Sequence, residues 1–169
     1  MGRFEFDKYH KRIREGPCLF CSLANHDVDV TQEHYLYEDE FAIVVLDRYP
    51  TQYGYSLVFP RQHVEQIFLL DTETYLRLQA IVHKTVKAVQ LATGAERVYT
   101  ACLGSQLLSP HIHYHVVPIF PGLPLEDQQW NALDKSRGVL KYSEQTFSEV
   151  ATKIMYAMKK IAGEDKDHF

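Results

Sequence analysis

The sequence is poor in cysteine and lacks a long apolar run. Its 169 residues include three Cys, and so small and odd a number argues against a disulfide framework and fits a reducing compartment better. No stretch of the sequence approaches the roughly 18 consecutive apolar residues that a membrane span needs. The charged N-terminus also lacks the apolar region of a signal peptide. We therefore expect a cytoplasmic protein that does not bind membranes.

An excess of positive charge is also missing. The formal net charge is −4, which argues against a nucleic-acid polymer as partner but leaves room for a small phosphate pocket. Hydrophobic residues make up 46% of the chain, enough to fill a core without disulfides. The length predicts one domain, residues 1–169. Within it we expect residues 1–17 to form an arm or a short helix, and residues 119–169 to form an extension that ends in a helix.

Apolar periodicity predicts both strands and helices in this chain. Alternating or continuous apolar runs predict strands, and apolar residues at steps of three and four predict helices. Most links between the strands are too short for a crossover, so the strands should pair antiparallel. The predicted fold class is α+β, with an antiparallel sheet of about five strands and two main helices. The strands are predicted within residues 35–46 (two strands), 55–59, 97–103 and 111–118, and the helices over residues 72–92 and 143–162.

The residue type in clear excess is histidine, with nine in the chain. Three of them alternate within one predicted strand, at His111, His113 and His115, so their side chains should project from one face. Three interpretations compete. The histidines are a solvated face that arose by chance, or they bind a metal ion, or one imidazole is a nucleophile that its neighbours orient.

Two cysteines stand close together near the N-terminus, at Cys18 and Cys21. This spacing is a weak signal by itself, because such a pair can bind zinc, undergo redox chemistry or simply be buried.

The pattern His-x-His-x-His followed by two apolar residues resembles the signature of the histidine triad superfamily of nucleotide hydrolases and transferases. The stretch FAIVVLDRYPTQYGYSLVFP, followed by Arg-Gln-His-Val, is similar to that family's strand–Asp–turn–Gly–strand–Pro–x–x–His run, and Cys18-x-x-Cys21 is similar to its N-terminal cysteine pair. The resemblance implies that His113 attacks the α-phosphorus of a nucleotide and forms a nucleotidyl-histidine.

The same resemblance implies roles for the residues around that nucleophile. The backbone carbonyl of His111 would fix the His113 ring, and His115 would donate to the phosphate or to the bridging oxygen. Asp47 would hold the ribose hydroxyls. The expected substrate is a dinucleoside polyphosphate or a nucleoside phosphoramidate, and no organic cofactor is expected.

The sequence departs from the family pattern in two places. The run before the triad reads Gly-Ser-Gln-Leu-Leu-Ser-Pro, so the amide and hydroxyl side chains that would contact phosphate are displaced; Gln106 and Ser109 are the candidates. Tyr55 stands where many members have a histidine. Tyr55 can donate a hydrogen bond but cannot shuttle protons near neutral pH.

The resemblance also implies a zinc ion and a homodimer in which two sheets join. Cys18, Cys21, His63 and His111 would form a closed Cys₂His₂ site, which is typical of structural zinc. Two alternative functions remain open: a metal-dependent hydrolase in which the three triad histidines bind zinc, and a nucleotide-binding sensor that turns over slowly.

Overall fold

A five-stranded antiparallel sheet forms the centre of the structure. The computed structural model describes residues 11, 13, 15–27, 34–103 and 109–164. The sheet has the order β1-β2-β3-β5-β4, and every neighbouring pair of strands is antiparallel. The predicted fold class is confirmed. The strands are β1 (Tyr35–Glu38), β2 (Ala42–Leu46), β3 (Ser56–Pro60), β4 (Arg97–Ala101) and β5 (Tyr114–Ile119).

Two long helices pack together over the sheet, as the periodicity predicted. The described residues also include short helices and 3₁₀ turns in the links between the longer elements. Among the described residues, no helix combines the length and the apolar character that crossing a bilayer would require. The α-helices are α1 (Leu19–Ala24), α2 (Thr72–Thr93), α3 (Trp130–Leu133) and α4 (Glu144–Glu164), and the 3₁₀ turns are Ile67–Leu69, Leu125–Asp127 and Lys135–Arg137.

Helix α2 begins and ends at the residues whose chemistry predicts its limits. The carboxylate of Asp71 accepts a hydrogen bond from the backbone N–H of Thr74, which satisfies one of the unpaired donors of the first turn. At the other end Gly94 adopts a left-handed conformation with φ of 71°, which only glycine adopts without strain. The buried face of α2 lies in the main core together with residues of β2, β5 and α4.

The strand that carries the histidines is shorter than predicted. The prediction began it at His111, but β5 begins at Tyr114. The backbone N–H of Ile112 donates to the carbonyl of Val64 in a loop, at 2.7 Å. The imidazole Nε2 of His111 donates to the carbonyl of Pro60, at the end of β3. The expectation that three histidines share one strand face is therefore wrong, since His111 and His113 precede the strand.

The chain that follows β5 covers one end of the sheet. We call residues 120–140 the post-sheet segment. In it Ala132 is buried against Tyr55 and two residues of β5. The hydroxyl of Thr51 donates to the carbonyl of Ala132, and the N–H of Leu140 donates to the carbonyl of Pro50. These contacts fix the post-sheet segment beside the turn that joins β2 to β3.

Gly54 in that turn has no room for a side chain. Its φ is 86°, and a Cβ atom there would lie 2.7 Å from Cγ2 of Thr93. Gly94 has a similar φ of 71° but nothing within 4 Å of its Cβ position. The two glycines therefore differ in crowding rather than in backbone conformation.

We predict that Gly54→Ala lowers the free energy of unfolding by about 2–4 kcal/mol, because it adds a steric clash to the cost of a left-handed backbone. The control Gly94→Ala should cost only about 1–2 kcal/mol, since it carries the backbone cost alone. Urea unfolding of both variants measures the difference. Equal losses in the two variants would contradict the crowding at Gly54.

Candidate functional site

The orientation of the His113 ring is fixed by a backbone carbonyl. Nδ1 of His113 lies 2.9 Å from the carbonyl oxygen of His111. A carbonyl can only accept, so Nδ1 carries the proton and Nε2 keeps its lone pair. Phe20 of α1 packs against the ring, with 4.4 Å between the ring centroids. The ring therefore presents one unprotonated nitrogen in a fixed direction.

His115 lies beside His113 and has a different partner. The two ring centroids are 4.7 Å apart. The hydroxyl of Tyr55 lies 2.8 Å from Nδ1 of His115, and a phenol donates readily to a neutral imidazole nitrogen. We therefore assign Nδ1 of His115 as the acceptor, which places the proton of its ring on Nε2. Tyr55 therefore contributes a hydrogen bond to the site and does not transfer protons.

Burial keeps both imidazoles neutral. It lowers the pKa of His115 to about 2, and the charge of Lys135 acts in the same direction. Burial also lowers the pKa of His113, and the Lys135 charge again favours the neutral ring, whereas the hydrogen bond to the His111 carbonyl and the Asp47 charge oppose this shift. A nucleophilic imidazole must be neutral. The pair thus combines a nitrogen that can attack with an N–H that can donate.

The fourfold Cys/His cluster forms as the resemblance implied. The ligand atoms of Cys18, Cys21, His63 and His111 all lie within 4.8 Å of one another. Nδ1 of His111 lies 3.6 Å and 3.7 Å from the two sulfurs, and Nδ1 of His63 lies 3.3 Å from Sγ of Cys21. Zinc with these ligands places neighbouring ligand atoms about 3.3–3.8 Å apart in a tetrahedron. The donor set and the spacing fit zinc.

The outer nitrogens of the two cluster histidines also suit a metal site. Nε2 of His111 donates to the carbonyl of Pro60 at 2.8 Å, and Nε2 of His63 lies 3.5 Å from a carboxylate oxygen of Glu65. Metal-binding histidines typically donate their second N–H to such an oxygen, because this leaves the other nitrogen unprotonated.

The three triad histidines have three separate partners. Nδ1 of His111 faces the cysteines, Nδ1 of His113 faces a carbonyl, and Nδ1 of His115 faces Tyr55. No observation favours a zinc ion shared by all three rings.

Asp47, the predicted ribose ligand, is bound to a lysine that the sequence did not single out. Its carboxylate is 3% exposed and lies 2.7 Å and 3.0 Å from Nζ of Lys135. The N–H of Tyr49 also donates to Oδ1 of Asp47. Lys135 comes from the post-sheet segment, and its Nζ is 5.9 Å from the centroid of the Tyr55 ring.

Of the two predicted phosphate ligands, Ser109 and Gln106, the structure describes only Ser109. Ser109 is 6% exposed, and its Oγ is a buried atom without a hydrogen-bond partner among the described residues. A buried hydroxyl without a partner lowers the stability of the fold unless a ligand or a water molecule forms a hydrogen bond with it. Gln106 lies outside the described residues.

Sequence reasoning missed two residues of this site. Phe20 lies between Cys18 and Cys21, so the clustering of the cysteines with His111 could have placed it near the triad. Lys135 gave no such signal, because its partner Asp47 is 88 positions away in the chain.

Comparison with known proteins gives consistent matches. The profile of the HIT domain matches residues 29–122. An adenosine 5'-monophosphoramidase of Schizosaccharomyces pombe is 26% identical over 101 residues, which cover 60% of this chain and 73% of that protein. The crystal structure of a hypothetical histidine triad nucleotide-binding protein from Sulfolobus tokodaii has a TM-score of 0.68 at 23% identity and covers 85% of this chain and 93% of that one. A Zn-bound histidine triad family protein from Mycobacterium smegmatis has a TM-score of 0.67 at 22% identity, covering 87% and 96%.

We predict that Tyr55→Phe releases the ring of His115, because Nδ1 loses its donor at 2.8 Å. The ¹⁵N shifts of the His115 ring should then indicate a mixture of the two neutral tautomers instead of the Nε2–H form. Tyr37→Phe is the matched control, since it removes a hydroxyl that donates to Asp39. Unchanged His115 shifts in Tyr55→Phe would show that the phenol does not set the tautomer.

Proposed function

This chain belongs to the HIT domain family, and we propose that it is a nucleotide hydrolase or nucleotidyl transferase that acts through His113. The observation that carries the proposal is the contact of Nδ1 of His113 with the His111 carbonyl, which leaves Nε2 of His113 unprotonated beside the ring of His115. The relationship to an adenosine 5'-monophosphoramidase supports this kind of activity.

The proposed reaction has two steps. In the first step Nε2 of His113 attacks the α-phosphorus and the bond from phosphorus to the leaving group breaks, while Nε2–H of His115 donates a hydrogen bond to the departing group, which takes its proton from solvent. In the second step water or another acceptor attacks the nucleotidyl-histidine, the P–N bond breaks, and the acceptor's proton passes to solvent. The His111 carbonyl stabilises the partial positive charge that the His113 ring gains in the intermediate.

The proposed substrate is a nucleoside phosphoramidate or a dinucleoside polyphosphate. Asp47 would hold a ribose hydroxyl, because Oδ2 keeps acceptor capacity beside its contact with Lys135. The unpartnered Oγ of Ser109 supports its assignment to phosphate binding, and Gln106 keeps the same proposed role from the sequence.

We also propose that Cys18, Cys21, His63 and His111 bind a structural zinc ion. A bound zinc ion would hold the two thiolates and two imidazoles together without taking part in the reaction. The ligand spacing and the two outer N–H contacts support this proposal. Because the carbonyl of His111 receives the N–H of His113, the cluster is coupled to the orientation of the nucleophile.

Three further parts of the proposal concern the whole protein. We propose that residues 1–169 form one HIT-like domain, because the post-sheet segment and α4 pack on the sheet that the family profile covers. We propose a homodimer joined at a sheet edge, where β1 or β4 has a strand on one side only among the described strands. We propose a cytoplasmic location, since none of the three cysteines forms a disulfide.

We predict that His113→Ala abolishes turnover of adenosine 5'-phosphoramidate and leaves AMP binding measurable, because only the attacking nitrogen is lost. His83→Ala, on the exposed face of α2, is the matched control. Rapid quench followed by intact-mass analysis should detect a nucleotidyl adduct on the wild-type protein and none on His113→Ala. Full activity of His113→Ala would refute the mechanism, and tight binding without product by the wild type would favour the sensor alternative.

We predict that Cys21→Ser lowers zinc content from about one ion per chain to near zero and lowers the melting temperature with it, because a tetrahedral site loses one of its four ligands. Cys102→Ser is the control, since this cysteine lies outside the cluster. Metal analysis by mass spectrometry and thermal unfolding are the measurements. Equal zinc content in Cys21→Ser and the wild type would remove the zinc proposal.

A further inference from the structure

A partly buried lysine from outside the family's matched region reaches the proposed active site. Lys135 lies in the post-sheet segment, beyond residues 29–122 that the HIT profile covers. Its side chain is 16% exposed and its Nζ contacts both carboxylate oxygens of Asp47. The anchoring of the segment, through Ala132 against Tyr55 and Leu140 on Pro50, fixes the backbone on both sides of Lys135.

The ammonium group of Lys135 lies near a second residue of the site in addition to its ion-pair partner Asp47. It lies 5.9 Å from the ring centroid of Tyr55, whose hydroxyl contacts His115. Asp47 is the proposed ribose ligand, and Nζ contacts both of its carboxylate oxygens. Nζ therefore borders the part of the site that a bound nucleotide would occupy, while Asp47 limits its movement.

We propose that Lys135 is a phosphate-binding residue of this site and that Asp47 positions it there. This inference rests on the proposed nucleotide function and adds a charged ligand for the phosphoryl oxygens. An ammonium group has three donors, so Nζ can keep contact with Asp47 and still donate to an anionic oxygen. Phosphoryl transfer places negative charge on the non-bridging oxygens, which a nearby cation stabilises.

The run before the triad, residues 104–110, has no positively charged side chain that could bind phosphate. Gly-Ser-Gln-Leu-Leu-Ser-Pro replaces the run with which the family usually contacts phosphate, and it carries no Lys or Arg. Among the described residues, the groups that contact the two triad rings include a carbonyl, a phenol and Phe20, which carry no positive charge. Lys135 brings an ammonium group to Asp47 and Tyr55 beside them.

The experiment compares AMP and adenosine as probes, because they differ only in the phosphate. We expect Lys135→Gln to weaken AMP binding by about 10- to 100-fold, the range of a lost charge-assisted hydrogen bond. Adenosine binding should change by less than about 3-fold, well under the tenfold that 1.4 kcal/mol represents. The Gln amide can still donate to Asp47, which limits the cost of leaving a buried carboxylate unpaired. Isothermal titration calorimetry on the full chain gives both affinities.

Two further variants separate charge from structure. Lys135→Arg keeps the cation and should recover most of the preference for AMP over adenosine. Lys141→Gln, an exposed lysine of the same region, makes the same change in net charge and should leave both affinities unchanged. If Lys135→Gln fails to fold, loss of the AMP preference by Lys135→Arg would still contradict the inference, and its retention would support it.

The outcomes also separate this inference from the proposed function. An equal loss of AMP and adenosine binding in Lys135→Gln would mean that Lys135 is only structural, and tighter binding of both would mean that it blocks the site; either result overturns the inference alone. If the wild-type protein binds neither probe, the nucleotide function fails and the inference fails with it.

Discussion

The hydrogen bond from Nδ1 of His113 to the carbonyl of His111 joins the two chemical centres of this protein. It leaves the outer nitrogen of His113 unprotonated, and its direction depends on where the backbone of His111 lies. That backbone is fixed by the His111 ring, whose Nδ1 faces two cysteines and whose Nε2 donates to the carbonyl of Pro60. The Cys/His cluster is therefore coupled to the proposed nucleophile through a main-chain atom, without any direct contact with a substrate.

The two neighbouring histidines carry their ring protons on different nitrogens because a different group binds Nδ1 in each ring. A carbonyl at Nδ1 forces the proton onto that nitrogen in His113, whereas a phenol that donates to Nδ1 favours the proton on Nε2 in His115. Neither arrangement requires a charged neighbour, and burial favours the uncharged form of both rings. Tyr55, which departs from the histidine common in the family, is fully buried, so its hydroxyl is held in place beside the ring of His115.

Local patterns predicted the parts of the fold that depend on local physics. The caps Asp71 and Gly94 and the apolar spacing between them were enough for α2, because capping and amphipathicity are encoded within one segment. The start of β5 could not be found in this way. Alternation favoured a strand from His111, but the side chain of His111 and the backbone of Ile112 bind to partners about 50 residues earlier in the chain. Lys135 shows the same limit, since only the folded chain brings it to Asp47.

The position of the post-sheet segment has a consequence for how this protein could diverge from its relatives. The strands and the two imidazoles lie within residues 29–122, which the family profile matches, whereas the lysine lies beyond them. The post-sheet segment is attached through a few main-chain and apolar contacts rather than through strand pairing. Substitutions confined to the post-sheet segment could therefore alter which ligand is preferred, while the proposed attacking group, which lies on the other side of the profile boundary, is left unchanged.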